Sequence, residues 1–112
     1  MKETARTPEP PYHVVIFTSR RTEGDNGYGE RADRMEELAR QQPGFLGIES
    51  ARGADGFGIT LSYWASAEAI AAWSSQAEHA PTKAHGVTHW YEEYVMRHGV
   101  VEREKRFLKP AP

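Results

Sequence analysis

Residues 45–64 read Phe45-Leu-Gly-Ile-Glu-Ser-Ala-Arg52, then Gly53-Ala-Asp-Gly56, then Phe57-Gly-Ile-Thr-Leu-Ser-Tyr-Trp64. The two outer runs carry aromatic, aliphatic and β-branched residues, and the four residues between them include two glycines and an aspartate. That is the pattern of two strands around a turn. A connection this short joins only antiparallel neighbours, because a parallel crossover needs a dozen residues or more. The middle of the chain is therefore a hairpin.

Upstream of the hairpin, Pro43-Gly44 stops a helix predicted over Glu30 to Gln42. Ala32, Met35, Leu38 and Ala39 form its apolar stripe at three- and four-residue spacing. Glu30–Arg34 and Glu36–Arg40 are pairs in the order that supports a helix. Before it lie a loop, Thr22 to Gly29, punctuated by Gly24, Asn26, Gly27 and Gly29, and a strand, Tyr12 to Arg20. Downstream, Ser66 reads as an N-cap with Glu68 in the first turn, followed by a stripe of Ile70, Trp73 and Ala77. Pro81 breaks this helix, with a second short helical piece running to about His85. Thr88 to His98 reads as the last strand. The order β-α-β-β-α-β places two helices on one face of a four-stranded antiparallel sheet, a ferredoxin-like α+β fold. The domain runs from residue 12 to 107. Residues 1–11, with Pro8, Pro10 and Pro11, read as a disordered N-terminal tail, and residues 108–112 as a C-terminal tail.

A chain of 112 residues suits one domain and buries roughly 65% of its unfolded surface. It has no cysteine, which excludes disulfides, thiol nucleophiles and cysteine metal sites. Its 14 basic and 16 acidic residues give a formal charge of −2. A nucleic-acid partner, which needs a clustered basic excess, is not expected. No apolar run approaches the length of a membrane span, and the N-terminus lacks the apolar stretch of a signal peptide. A cytoplasmic protein with no membrane partner is the expectation.

Alternation in the strands bears on assembly. Val14 and Ile16 point to one face of the first strand, Val15 and Phe17 to the other. In the last strand Tyr91 and Val95 oppose Trp90, Tyr94 and Met96. Both sheet faces are thus apolar, and two helices cover only one. A homodimer packed sheet to sheet covers the other.

Three features bear on chemistry. Gly27-Tyr-Gly29-Glu-Arg-Ala32 fits the dinucleotide-binding pattern, with Glu49 downstream, but that site needs parallel βαβ units and the hairpin makes this sheet antiparallel. His79, His85 and His89 do not converge on one element, so no metal site is expected. Aromatic residues carry the strongest signal: Trp64, Trp73, Trp90, Tyr63, Tyr91 and Tyr94 all fall in the C-terminal half. Such residues dominate cores and interfaces, and they also line pockets for flat aromatic ligands. His79, one or two turns beyond Trp73, would supply a polar handle or an axial ligand. Glu49 and Arg97 are charges on otherwise apolar strands, where charges pair or touch a ligand.

Pro43-Gly-Phe-Leu-Gly-Ile-Glu-Ser50, Ile59-Thr-Leu-Ser-Tyr-Trp64, Ser66-Ala-Glu-Ala-Ile70, Ala72-Trp73, Glu78-His79, Gly86, Trp90-Tyr91, Tyr94, Arg97 and Val101-Glu-Arg103 together resemble the antibiotic biosynthesis monooxygenase domain superfamily, in the branch related to heme-degrading monooxygenases. The resemblance covers about residues 12–107. It implies a homodimer whose two sheets form a dimeric α/β-barrel. Some relatives oxidise polyaromatic substrates with O₂ and no metal or flavin. Others bind and open heme, using an Asn on the first strand, a Trp on the second helix and a His at its end. Trp73 matches that Trp, and His79 or His85 the His, but no Asn lies in Tyr12 to Arg20. Where the branch carries Ala-Gln after Glu-His and Arg after the glycine, this chain has Thr82-Lys83 and Val87. The leading expectation is a monooxygenase without cofactor acting on a small aromatic, polyketide-like substrate. His79 would be the base, Trp73 and Trp64 the walls and Arg97 the anion stabiliser, with Trp90, Tyr94 and Glu49 contacting the ligand. Heme binding or degradation through His79 or His85, and a non-catalytic dimer that binds a small ligand, are the alternatives.

Overall fold

The computed structural model describes residues 3–76 and 89–111. Strands β1 (Tyr12–Arg21), β2 (Phe45–Arg52), β3 (Phe57–Trp64) and β4 (Tyr91–Val101) and helices α1 (Tyr28–Arg40) and α2 (Ala67–Ser74) follow the order β-α-β-β-α-β. The sheet order is β2-β3-β1-β4, and every neighbouring pair is antiparallel. The hairpin has the predicted bounds. Gly56, at φ 89°, makes the turn, and Asp55 Oδ1 accepts from Phe57 N at 3.0 Å.

Both helices start where a short polar side chain takes up the free amides of the first turn. Ser66 Oγ accepts from Ala69 N at 3.1 Å, as its sequence position predicts. For α1 the cap comes from Asp25. Its carboxylate accepts from Gly27 N at 3.1 Å and Gly29 N at 3.0 Å, and α1 begins two residues earlier than Glu30. Asn26 (φ 49°) and Gly27 (φ 83°) supply the left-handed turn that brings Asp25 under the helix end. The glycine-rich segment thus caps a helix over an antiparallel sheet. Gly44, at φ 85°, turns the chain from α1 into β2, and its carbonyl accepts from Ala65 N at 2.8 Å.

Alternation assigns the faces. Val15 and Phe17 of β1 face the helices, with Thr60 and Ser62 of β3 beside them. Ile16 and Thr18 face away. Leu38 and Ala39 of α1 are buried, and Trp64 is 0% exposed. On the outer face Ile59, Thr18 and Val95 lie in one row across three strands, and Leu61, Ile16 and Arg97 in the next. Phe57, Ile59 and Val95 remain exposed there.

β4 departs from simple alternation. Arg20 pairs with Glu93 but Arg21 pairs with Tyr91, so one residue is accommodated as a bulge. The bulge turns Tyr91 onto the helix side beside Tyr94, where strict alternation from Val95 would have put it outside. β4 also begins at Tyr91, three residues later than predicted, and His89 precedes it. The predicted helical piece around Pro81 lies outside the described residues.

The segment read from its prolines as a tail makes contacts on the outer face. Ala5 N donates to Glu49 Oε2 at 2.8 Å, and Thr7 Oγ1 donates to Glu104 Oε1 at 2.7 Å. Arg106 reaches back to Thr4 Oγ1 and the carbonyl of Ala5.

Candidate active site

The helices stand off the sheet far enough to leave a cavity of about 570 Å³ between them. This lies within the usual range for small-molecule sites. Its floor is the helix-facing side of the sheet. α1 contributes Ala32, Met35 and Ala39, and α2 contributes Ile70 and Trp73.

Two aromatic groups close its ends. At one, Trp64 stacks on Trp73 with centroids 6.2 Å apart and meets Phe45 edge-on at 5.5 Å. Trp64 Nε1 donates to Ser62 Oγ at 2.9 Å, which satisfies the one polar atom of a fully buried indole. At the other, Tyr28 meets Trp90 and Tyr91 edge-on, each at 5.8 Å, while Phe17 packs against Tyr91 at 5.3 Å and Tyr94 at 5.4 Å. Trp90 Nε1 donates to the Asn26 carbonyl at 3.0 Å, so the loop that caps α1 also fixes this wall. Arg21 adds a clamp. Its guanidinium lies 3.6 Å from the Tyr28 ring centroid, and its Nε donates to the Trp90 carbonyl at 2.9 Å.

The polar groups on the floor are few. Ser50, Thr60 and Ser62 present hydroxyls from β2 and β3, and Arg52 stands at the end of β2. The Tyr91 and Tyr28 hydroxyls lie 3.4 Å apart. Burial, and then the bond to Tyr28, push the Tyr91 phenol up, so it stays protonated and can donate but does not act as a base. Asp33 and Glu36 reach the cavity from the exposed side of α1, with Glu36 held by Arg40 at 3.1 Å.

The fold therefore brings together Trp64, Trp73, Trp90 and Tyr94, four of the residues singled out in the sequence. It does not bring Glu49 or Arg97 to them. Arg97 is opposite Ile16, and Glu49 is opposite Leu61, so the two-residue period of a strand sends both to the outer face. There Glu49 accepts from the Tyr63 hydroxyl at 2.5 Å as well as from Ala5 N. His79 and His85 lie outside the described residues. Sequence reading missed Arg52 and Tyr28. The spacing of Ile48, Ser50 and Arg52 carried the signal for Arg52, because it places all three on one strand face. The described lining residues include no imidazole, so they offer heme no axial nitrogen.

Comparison with known proteins agrees with this architecture. The sequence profile of the family described as antibiotic biosynthesis monooxygenase matches residues 11–84. The chain is 53% identical over 103 residues to the uncharacterized protein YqjZ of Bacillus subtilis, covering 92% of this chain and 90% of that protein. Among solved structures, SnoaB of Streptomyces nogalater, a cofactor-independent oxygenase, superposes with a TM-score of 0.68 at 13% identity, over 89% of this chain and 100% of that one. A Shewanella oneidensis protein superposes with a TM-score of 0.72 at 8% identity, over 81% and 91% of the two chains. At these identities the structures share the fold.

Proposed function

Because the chain belongs to the antibiotic biosynthesis monooxygenase family, we propose that it is a cytoplasmic, dimeric monooxygenase that oxidises a small aromatic, polyketide-like substrate with O₂ and without a cofactor. The observation that carries this reading is the cavity itself, apolar, closed at both ends by indole and phenol rings, and floored by a few hydroxyls.

An electron-rich aromatic such as an anthrone supplies its own electrons once a proton is removed from its reactive carbon. In the net reaction the ring CH₂ and O₂ become a ring carbonyl and water. The protein has to exclude water, hold the ring and take the proton. Trp64 and Trp73 grip one edge of the substrate, and Tyr28, Trp90 and Tyr94 the other. The protonated Tyr91 hydroxyl donates to oxygen where negative charge develops. His79, six residues beyond Trp73, is the proposed base. Oxygen uptake with an anthrone checks this: the wild type consumes one O₂ per substrate, while Trp73→Ala and His79→Ala each lower kcat at least tenfold. No uptake above the uncatalysed rate by the wild type sinks the reading.

The dimer rests on the outer face. Phe57, Ile59 and Val95 are exposed on the sheet side that faces away from the described helices α1 and α2. Large apolar patches of this kind mark interfaces. Light scattering should give twice the 12.6 kDa chain mass. Among the described residues no helix is long and apolar enough to cross a membrane.

A further inference from the structure

We propose that Arg52 is the specificity-determining anchor of the cavity and that its ligand is an aromatic carboxylate, with the ring between the two aromatic ends and the carboxylate on the guanidinium. This rests on the reading of the cavity as an aromatic-substrate site and adds the charge of that substrate.

The first ground is how Arg52 is held. Ser19, 2% exposed in the middle of the sheet, takes Arg52 Nη2 on its Oγ at 2.8 Å and Nη1 on its carbonyl at 3.4 Å, while the Gly56 carbonyl takes Nη1 as well. These bonds occupy Nη1 and one Nη2 proton of the guanidinium. They leave Nε–H and the second Nη2 proton, which point in parallel along one side and form the fork that grips a carboxylate with two bonds. Because the side chain is already fixed, a ligand does not have to order it on binding.

The second ground is charge. Arg52 is the one cation among the described residues lining the cavity, and none of the described carboxylates forms an ion pair with it. The lining carboxylates are on the opposite wall. Glu36 is paired with Arg40, and Asp33 is on the exposed flank of α1. The guanidinium lies 5.9 Å from the Tyr28 ring centroid, and its charge acts on the Tyr91 hydroxyl. Cation and aromatic wall thus face the same space.

Calorimetric titration of the full-length protein with 2-naphthoate and with 2-naphthamide separates the two ideas. The wild type should bind the carboxylate about tenfold more tightly than the amide, the size expected for a charge-assisted pair. Arg52→Met should erase that preference and leave the amide Kd within about twofold. Arg52→Lys keeps the charge without the fork and should lower the preference at least threefold. If Arg52→Met loses its native circular dichroism, Arg52→Lys carries the test alone. Equal binding of both probes by the wild type overturns the anchor while the aromatic cavity stands. A carboxylate preference that survives both substitutions also overturns it. Binding of neither probe overturns the cavity reading, and the anchor with it.

Discussion

The indole planes of Trp64 and Trp73 lie 25° from parallel with their centroids 6.2 Å apart, one fully buried at the last residue of β3 and the other half-buried on α2. The stack fastens the short second helix to the sheet and forms one end of the cavity. α2 is only 8 residues long, below the length at which a helix is stable alone, so its position depends on such contacts.

The two tryptophans should therefore separate in their effects. Trp64→Ala empties a fully enclosed site and should cost about 3–5 kcal/mol in urea unfolding. Trp73→Ala removes a half-exposed ring and should cost about 1–2 kcal/mol, since less surface returns to water. Naphthoate affinity should fall in Trp73→Ala even where the fold is intact. Equal destabilisation by the two changes would contradict the burial order.

Ile59, Thr18 and Val95 form one row on the outer side of the sheet. A charge in that row would be harmless on a free surface and costly inside a dimer. Val95→Glu and Ile59→Lys should each shift the protein toward a 12.6 kDa monomer in light scattering while far-UV circular dichroism is retained. Unchanged mass for both variants places the interface elsewhere.

The strand bounds Phe45–Arg52 and Phe57–Trp64 and the Ser66 cap were legible because turn and capping chemistry are local. Trp64, Trp73, Trp90 and Tyr94 were legible as a group through their density. Glu49 and Arg97 were picked for being charged on apolar strands, but which face a strand residue takes depends on register, and register is fixed by partners distant in sequence. Tyr91 shows the same limit: a one-residue bulge opposite Arg20 and Arg21 moved it to the cavity. Arg52 went unnoticed because its role depends on Ser19, 33 positions away.

Gly44 sits where α1, β2 and α2 meet. Its φ is 85°, and a Cβ placed on it would lie 2.6 Å from Ala69 Cβ on α2. Gly44→Ala thus combines a left-handed backbone with a clash between two backbone-fixed methyl groups, and should cost about 2–3 kcal/mol. The clash pushes α2 away from the sheet, so ligand affinity should fall along with the unfolding midpoint. The control Gly27→Ala has a φ of 83° but open space around it, and should cost only the backbone share, about 1 kcal/mol. Equal costs for the two would mean that the contact with Ala69 carries no energy.

Alkaline pH should weaken the fold through its buried phenols. Burial raises Tyr63 and Tyr91 above the ordinary value of 10.0, helped by the bond from Tyr63 to Glu49 and from Tyr91 to Tyr28. Tyr12 moves the same way through burial and its bond to Glu104. In the unfolded chain these phenols lose their protons near pH 10, while in the fold they keep them to higher pH. Over that window the unfolded state binds fewer protons than the native state, so stability falls as pH rises. The contribution is fully present below pH 10 and is lost as pH climbs toward the raised folded values. Urea midpoints should be flat from pH 8 to about 9.5 and then drop. Tyr63→Phe removes the bond to Glu49, should cost about 1 kcal/mol at pH 7, and should make the drop above pH 10 shallower. An unchanged alkaline slope in Tyr63→Phe would show that Tyr63 ionises in the fold as readily as it does in the open chain.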